Sequence, residues 1–269
     1  MVKVETVDCS QWAVGEYIEQ VLLVVPRVSG IPVHFVHYPQ PNELMAFNTA
    51  FAGAGSGENG SRYVNYFCGK TDQQNIYSCR LDAPMLIVQF KPHGWYAFAR
   101  HGLASYSNAV SRLPCRLSED LRYFAIAQLP EYLEKRLCKA KSREAGYRMM
   151  PEILRYIDEH LNTVNVISIG RVFNLSEATL RRYFKKYVGV NVSHYIRDQK
   201  VKSMTMRIYC DDYNAIAVQE CGFYDQSHFI REFKRVHRVT PTQFMEQLNR
   251  VFRRNKNSEK LFNACYLEL

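Results

Sequence analysis

Paired cysteine spacing is missing from this 269-residue sequence, although it holds eight cysteines. They stand at positions 9, 68, 79, 115, 138, 210, 221 and 265, with no C-x-x-C pair among them. That scatter argues against a disulfide framework or a zinc site and makes reduced thiols in the cytoplasm the expectation. Cys138 and Cys221 fall within helical patterns and read as small core residues. Long apolar runs are missing too. The apolar piece at residues 21–25 is too short for a signal core or a membrane span, so no membrane contact is expected. Metal-ligand spacing is also lacking. His34 and His37 are three apart and, on a strand, point to opposite faces. His93 and His101 flank Trp95-Tyr96-Ala97-Phe98, with no H-x-H pair and no carboxylate pattern to complete a site. No metal, cofactor or catalytic residue is expected, and the chain does not read as an enzyme.

What is present divides into unlike halves, giving an α+β fold class. Residues 1–145 read as a β-rich regulatory domain with trailing helices, 146–250 as an all-α domain, and 251–269 as a basic tail. In the first part, Val33-His34-Phe35-Val36-His37-Tyr38, Arg62-Tyr63-Val64-Asn65-Tyr66-Phe67 and Met85-Leu86-Ile87-Val88-Gln89-Phe90 are short runs of β-branched and aromatic residues. Gly, Pro and Asn punctuate them, which predicts an antiparallel sheet or a small barrel. Helical periodicity follows over about 119–139 through Leu121, Ile126, Leu129, Tyr132, Leu133 and Leu137. Pro151 can open the next helix, with Ile153, Leu154, Ile157 and Leu161 facing inward. Charge divides at the same boundary. Residues 1–145 carry 15 Lys and Arg against 13 Asp and Glu, and residues 146–269 carry 20 against 13, so +7 of the net +9 lies in the second part. A basic surface of this kind suits phosphate.

The basic part contains a duplicated pattern. Asp225 follows a turn and can cap a helix. Phe229, Phe233 and Val236 then fall at i, i+4 and i+7 as one apolar stripe, while Ser227, Arg231, Lys234 and Arg235 point away from it. Gly222 suits the preceding turn, where positive φ is cheapest for glycine. About 49 residues upstream, Ser176 is the cap, Leu180, Phe184 and Tyr187 form the stripe, and Arg181, Arg182, Lys185 and Lys186 form the cationic face. Arg182 aligns with Arg231, Lys185 with Lys234, Val190 with Val239 and Tyr195 with Phe244. A connecting helix is predicted over about 195–209 from Ile196, Val201, Met204 and Ile208. Two turn-helix units on a stiff connector can address major-groove segments about 34 Å apart on one side of a duplex.

Residues from about 150 to 245 resemble the DNA-binding domain of the AraC/XylS family of bacterial transcription regulators. The resemblance is carried by Gly222-Phe223-x-Asp225-Gln226-Ser227-His228-Phe229-x-Arg231-x-Phe233-Lys234 with Thr240-Pro241-x-x-Phe244. In the first unit it is carried by Ile169-Gly170, Leu175-Ser176 and Leu180-x-Arg182-x-Phe184-Lys185. It implies sequence-specific binding to double-stranded DNA at promoters and control of RNA polymerase. By family position, Ala178, Arg181, Arg182, Gln226, Ser227 and Arg231 face the groove. Arginine there can read guanine and glutamine adenine. Lys185, Lys186, Lys234 and Arg235 are expected on phosphates, and His228 either touches a phosphate or locks the turn. Arg238 stands where the family usually has glycine, and Asn174 where a turn glycine is common. Many such regulators carry a cupin-like sensor barrel ahead of this domain. The segment Val88-Gln89-Phe90-Lys91-Pro92-x-Gly94-x-Tyr96 resembles one N-terminal domain of the group. A small effector or a homodimer contact is open to that domain. The alternatives are a cupin-type enzyme domain fused to a DNA-binding module, and a non-specific architectural DNA binder.

Overall fold

The computed structural model describes residues 2–28, 31–37, 44–48, 51–53, 65–70, 75–81, 84–99, 110–112, 129–137, 141, 143–210, 212–252 and 266–268. The expected helical stretch at 119–128, His101, and most of the basic tail lie outside the described residues, as do the side chains of His34 and His37.

The N-terminal part is built from two antiparallel sheets. Strands β1 (Val2–Val7), β2 (Ile18–Pro26), β4 (Leu44–Asn48), β6 (Asn65–Cys68), β8 (Met85–Phe90) and β9 (Val110–Arg112) run in the order β1-β2-β8-β4-β6-β9. Strands β3 (Ile31–His37), β5 (Phe51–Gly53), β7 (Asn75–Leu81) and β10 (Tyr266–Glu268) run in the order β10-β3-β7-β5. Among the described residues both sheets are open, since neither order returns to its first strand. β8 lies inside the larger sheet and all six of its residues are buried. That explains why it reads as an unbroken apolar run rather than an alternating one. Its one polar residue, Gln89, accepts a hydrogen bond from the Gln20 side chain at 2.8 Å. The chain end returns to the N-terminal part, where Leu267 pairs with Phe35.

Two short 3-10 turns, Gly15–Tyr17 and Gly94–Ala97, join this sheet to the helices. The Lys91 amide donates to the Tyr17 carbonyl at 2.9 Å. A Cβ on Gly94 would lie 2.1 Å from that same carbonyl oxygen, so the close approach requires glycine. Helices α1 (Leu129–Glu134), α2 (Ala145–Arg148) and α3 (Met150–Glu159) follow, with Pro151 at the opening of α3 as its fixed φ allows.

The remaining helices are α4 (Val166–Phe173), α5 (Glu177–Tyr183), α6 (Val192–Tyr209), α7 (Ala215–Glu220), α8 (Gln226–His237) and α9 (Pro241–Phe252). Among the described residues, their packing falls into two separate apolar clusters. One apolar cluster runs from Val14, Tyr17, Phe90 and Trp95 through Tyr147 and Ile157 to Ile169, Leu180, Phe184 and Tyr187. It crosses the boundary expected at residue 145. The second cluster gathers Val201, Met204, Ile208, Ala217, Val218, Phe229, Phe233, Val236 and Phe244. Helix α6 serves both, with Tyr195 and Ile196 in the first and Val201 onward in the second.

Candidate nucleic-acid interface

Each unit is a capped helix, a left-handed turn and a second capped helix. In the first, the Asn165 side chain accepts from the Ser168 amide while the Ser168 hydroxyl accepts from the Asn165 amide, a reciprocal capping box. Asn174 ends α4 at φ 51°. Ser176 then caps α5 through the Thr179 amide at 3.2 Å. In the second, Asn214 caps α7 through the Ala217 amide at 2.8 Å. Gly222 turns at φ 79°, and Asp225 caps α8 through the His228 amide at 2.6 Å. Asn165 and Asn214 thus occupy equivalent places in the two units. Sequence reading missed both, although asparagine just ahead of an apolar-periodic stretch is the signal that could have found them.

The stripes point inward as their spacing requires. Leu180, Phe184 and Tyr187 are buried in the first unit, and Phe229, Phe233 and Val236 in the second. The expected groove residues Ala178, Arg181, Arg182, Gln226, Ser227 and Arg231 are all exposed. Helix α5 runs on into a π-helical turn over Phe184–Val188, which carries Lys185 and Lys186. The connector is longer than expected at its start, and its 18 residues span about 27 Å.

The cations on these faces divide into two kinds. Arg182, Lys185, Arg231 and Lys234 are exposed and hold no ion pair among the described residues. Arg181 pairs loosely with Glu177 one turn back, at 3.4 Å on the surface. Lys186 and Arg235, both expected on phosphates, are held by protein carboxylates instead. Lys186 donates to Glu144 at 2.6 Å. Arg235 is half-buried and donates to Asp198 of α6 and Glu232 of α8, each at 2.9 Å. His228 accepts from the Tyr224 amide at 3.5 Å and stacks edge-on against Phe223. The histidine therefore sits on the turn. Gln226 donates to the Tyr213 hydroxyl at 3.2 Å.

Glu144 accepts three hydrogen bonds, from Lys186, from Tyr96 at 2.8 Å and from Tyr187 at 3.1 Å. Burial alone would raise its pKa, but these donors outweigh it and hold the carboxyl below the ordinary glutamate value. Burial, then the same carboxylate, pushes both Tyr96 and Tyr187 up to about 12. Buried Lys70 adds a second tie across the domains, donating to the Pro92 carbonyl at 2.8 Å and also to that of Val188. These partners lie 22 to 118 residues away in sequence, so no local pattern announces them.

Residues 169–247 match the family model described as a helix-turn-helix domain. That match is an AraC-type helix-turn-helix domain. Two relatives each match part of the chain. The regulatory protein PocR of Salmonella typhimurium is 28% identical over 102 residues, covering 37% of this chain and 34% of the relative. The F1 operon positive regulatory protein of Yersinia pestis is 30% identical over 125 residues, covering 43% of this chain and 42% of the relative. The chain thus matches well under half the length of either. Among solved structures, unsaturated fatty acid bound ToxT from Vibrio cholerae is 10% identical, covers 93% of this chain and 96% of its own, and has a TM-score of 0.42. Among the described residues, no helix is long and apolar enough to cross a membrane.

Proposed function

We propose that this chain is a cytoplasmic, sequence-specific transcription regulator that inserts α5 and α8 into successive major-groove segments of a promoter. One observation carries this reading. The two units place exposed cations, free of ion pairs among the described residues, at equivalent positions, Arg182 with Arg231 and Lys185 with Lys234. Arg182, Arg231 and Gln226 read base edges, with Ala178, Arg181 and Ser227 lining the same surface. Lys185 and Lys234 hold phosphates and set the register. Arg235 and Lys186 brace the protein, because their charges are already met by carboxylates. One relative is named a positive regulatory protein, which supports activation, and activation here would act through RNA polymerase. The N-terminal sheets then act as a cupin-like sensor for a small effector, and offer a surface through which two copies can pair.

The test is selection from a library of genomic fragments by the full chain at physiological salt, read by sequencing, beside an Arg182→Ala/Arg231→Ala double variant. One enriched bipartite site, with half-sites about a helical turn apart and lost in the variant, is the expected result. Uniform low-affinity recovery with steep salt dependence would instead mark a non-specific binder. Loss of a single bidentate arginine contact relaxes discrimination at one base by about 1–3 kcal/mol.

A further inference from the structure

A cleft of about 630 Å³ opens where the N-terminal part meets α3 and α6. That volume suits a small ligand. Its floor and walls combine Glu16 and Glu19 beside the first 3-10 turn, Lys91 and His93 after β8, the outer face of α3, and Tyr195 of α6. The cleft reverses the sign of the molecule. The whole chain carries +9, yet five carboxylates face Lys91 and Arg155 here. Arg155 is moreover taken up by Glu152 at 3.1 Å and Glu159 at 3.2 Å. Glu16, Glu19 and Asp158 hold no ion pair among the described residues.

Two buried polar side chains line the same cleft. The Tyr195 side chain, with its hydroxyl, is 1% exposed. Burial first, then the Asp158 and Glu19 carboxylates, hold that hydroxyl well above the ordinary tyrosine value, so it lies within their field. His93 is 3% exposed and its Nδ1 has no partner. Burial, helped by Lys91 and Lys70, pushes its pKa down to about 3, so the ring is neutral and can accept from an N–H donor. A buried acceptor such as His93 Nδ1 is costly unless something meets it.

We propose that this cleft binds a small aliphatic amine or guanidinium compound, held by Glu19 and Asp158 from opposite domains and by Tyr195 and His93 at its base. Asp158 remains open to the cleft, yet the surrounding protein pushes its carboxyl up to about 6, first by burial and then through Glu19 and Glu159, against the pull of Lys202. A bound cation relieves that repulsion and draws the two carboxylates together. No group of three His, Cys, Asp or Glu side chains converges as metal ligands would among the described residues, and Pro92, Pro151 and Leu154 add apolar wall. Both features suit an organic cation over a bare metal ion. The ligand would then fasten the N-terminal part to the helix that opens the AraC-type domain. That consequence rests on the reading of the chain as an effector-controlled regulator, but the binding does not.

The experiment is calorimetry and thermal denaturation of the full chain without DNA, with putrescine and agmatine as probes and octanoate and Mg²⁺ as controls. Either amine should bind saturably and raise the melting temperature. Glu19→Gln and Asp158→Asn should each weaken binding about tenfold, since a hydrogen bond to a charged group is lost. Tyr195→Phe, which keeps the buried ring, should weaken it less. Both carboxylate variants relieve repulsion, so they should be no less stable than the parent without ligand. Absence of saturable binding by both amines, an unchanged response in the Glu19→Gln/Asp158→Asn double variant, or an equal response to octanoate or Mg²⁺ would overturn the proposal. Because DNA is left out, failure here is distinct from failure to find a promoter site.

Discussion

At the scale of single residues, the turns show how backbone chemistry is written into sequence. The family's glycine positions are occupied here by Asn174 and Arg238, and both residues adopt left-handed backbone, at φ 51° and φ 63°. The turn was therefore legible even where its usual residue was not. Asparagine tolerates this region, but arginine carries a Cβ penalty of about 1–2 kcal/mol. Arg238 is exposed, and its amide still donates to the Lys234 carbonyl at 2.9 Å. Arg238→Gly should raise stability by up to about 1 kcal/mol, once the extra freedom glycine gives the unfolded chain is subtracted. Urea unfolding at neutral pH reads this directly, and a loss of stability would mean that the Arg238 side chain supports the turn. His237 gives a pH effect of definite sign. It is buried, it bonds to the Thr205 hydroxyl at 2.9 Å, and burial pushes its pKa down to about 3. The unfolded chain takes up this proton near the ordinary histidine value of 6.5, and the folded chain refuses it. Stability therefore falls as pH drops from about 6.5 toward 3, by about 2 kcal/mol at pH 5 for one such histidine. His93 adds a share of the same sign, whereas Asp158, raised from 3.8 to about 6, acts oppositely between those values. His237→Phe should flatten the fall in urea midpoint from pH 7 to 5 without abolishing it; an unchanged slope would show that the ring is already protonated in the fold.

At the scale of elements, period and partner differ in what they reveal. Helix α8 was readable because Phe229, Phe233 and Val236 repeat within one short stretch, and all three are buried. The connector was readable for the same reason, though its first turn was missed even with Asn191 as its cap, accepting from the Ser193 amide at 3.1 Å. The N-terminal strands β1 and β2 escaped notice even though Val4 pairs with Val24 and Thr6 with Leu22. Their partnership depends on a register that no single stretch encodes. The same contrast separates Lys234 from Arg235. Both look like exposed basic residues on one helix, but Asp198 is 37 residues away and claims the second. Lys234→Ala should leave stability within about 0.5 kcal/mol and reduce the slope of log affinity against log salt by about 0.9. Arg235→Ala should strand a mostly buried carboxylate and cost about 1–3 kcal/mol, less than a fully buried pair because the guanidinium is one-third exposed. Chemical denaturation beside a salt titration of DNA binding separates them. Equal salt slopes in the two variants would return Arg235 to the phosphate surface.

At the scale of the whole molecule, the two turn-helix units are unequal partners. Their sequences are parallel, and nothing in either one says that the first is packed into the N-terminal core. That joint is made by Tyr96, Tyr147 and Tyr187, whose ring centroids lie 5.0 to 5.6 Å apart, drawn from three distant parts of the chain. A boundary at residue 145 follows from composition, whereas the continuity of the core follows from side chains that meet only after folding. The second unit has its own, smaller cluster and is attached through α6. Its opening need not disturb the N-terminal sheets, while opening of the first unit must expose core shared with the larger sheet. Native-state hydrogen exchange should therefore show amides of α7 and α8 opening at a free energy on the order of 1–2 kcal/mol below that of α3 to α5. Tyr187→Ala, a large-to-small change in the shared cluster, should cost about 3 kcal/mol and lower protection in α3 and β8 together. It should leave α8 nearly unchanged. Should protection in α8 fall in step, α6 would be transmitting the loss, and the chain would open as one cooperative unit.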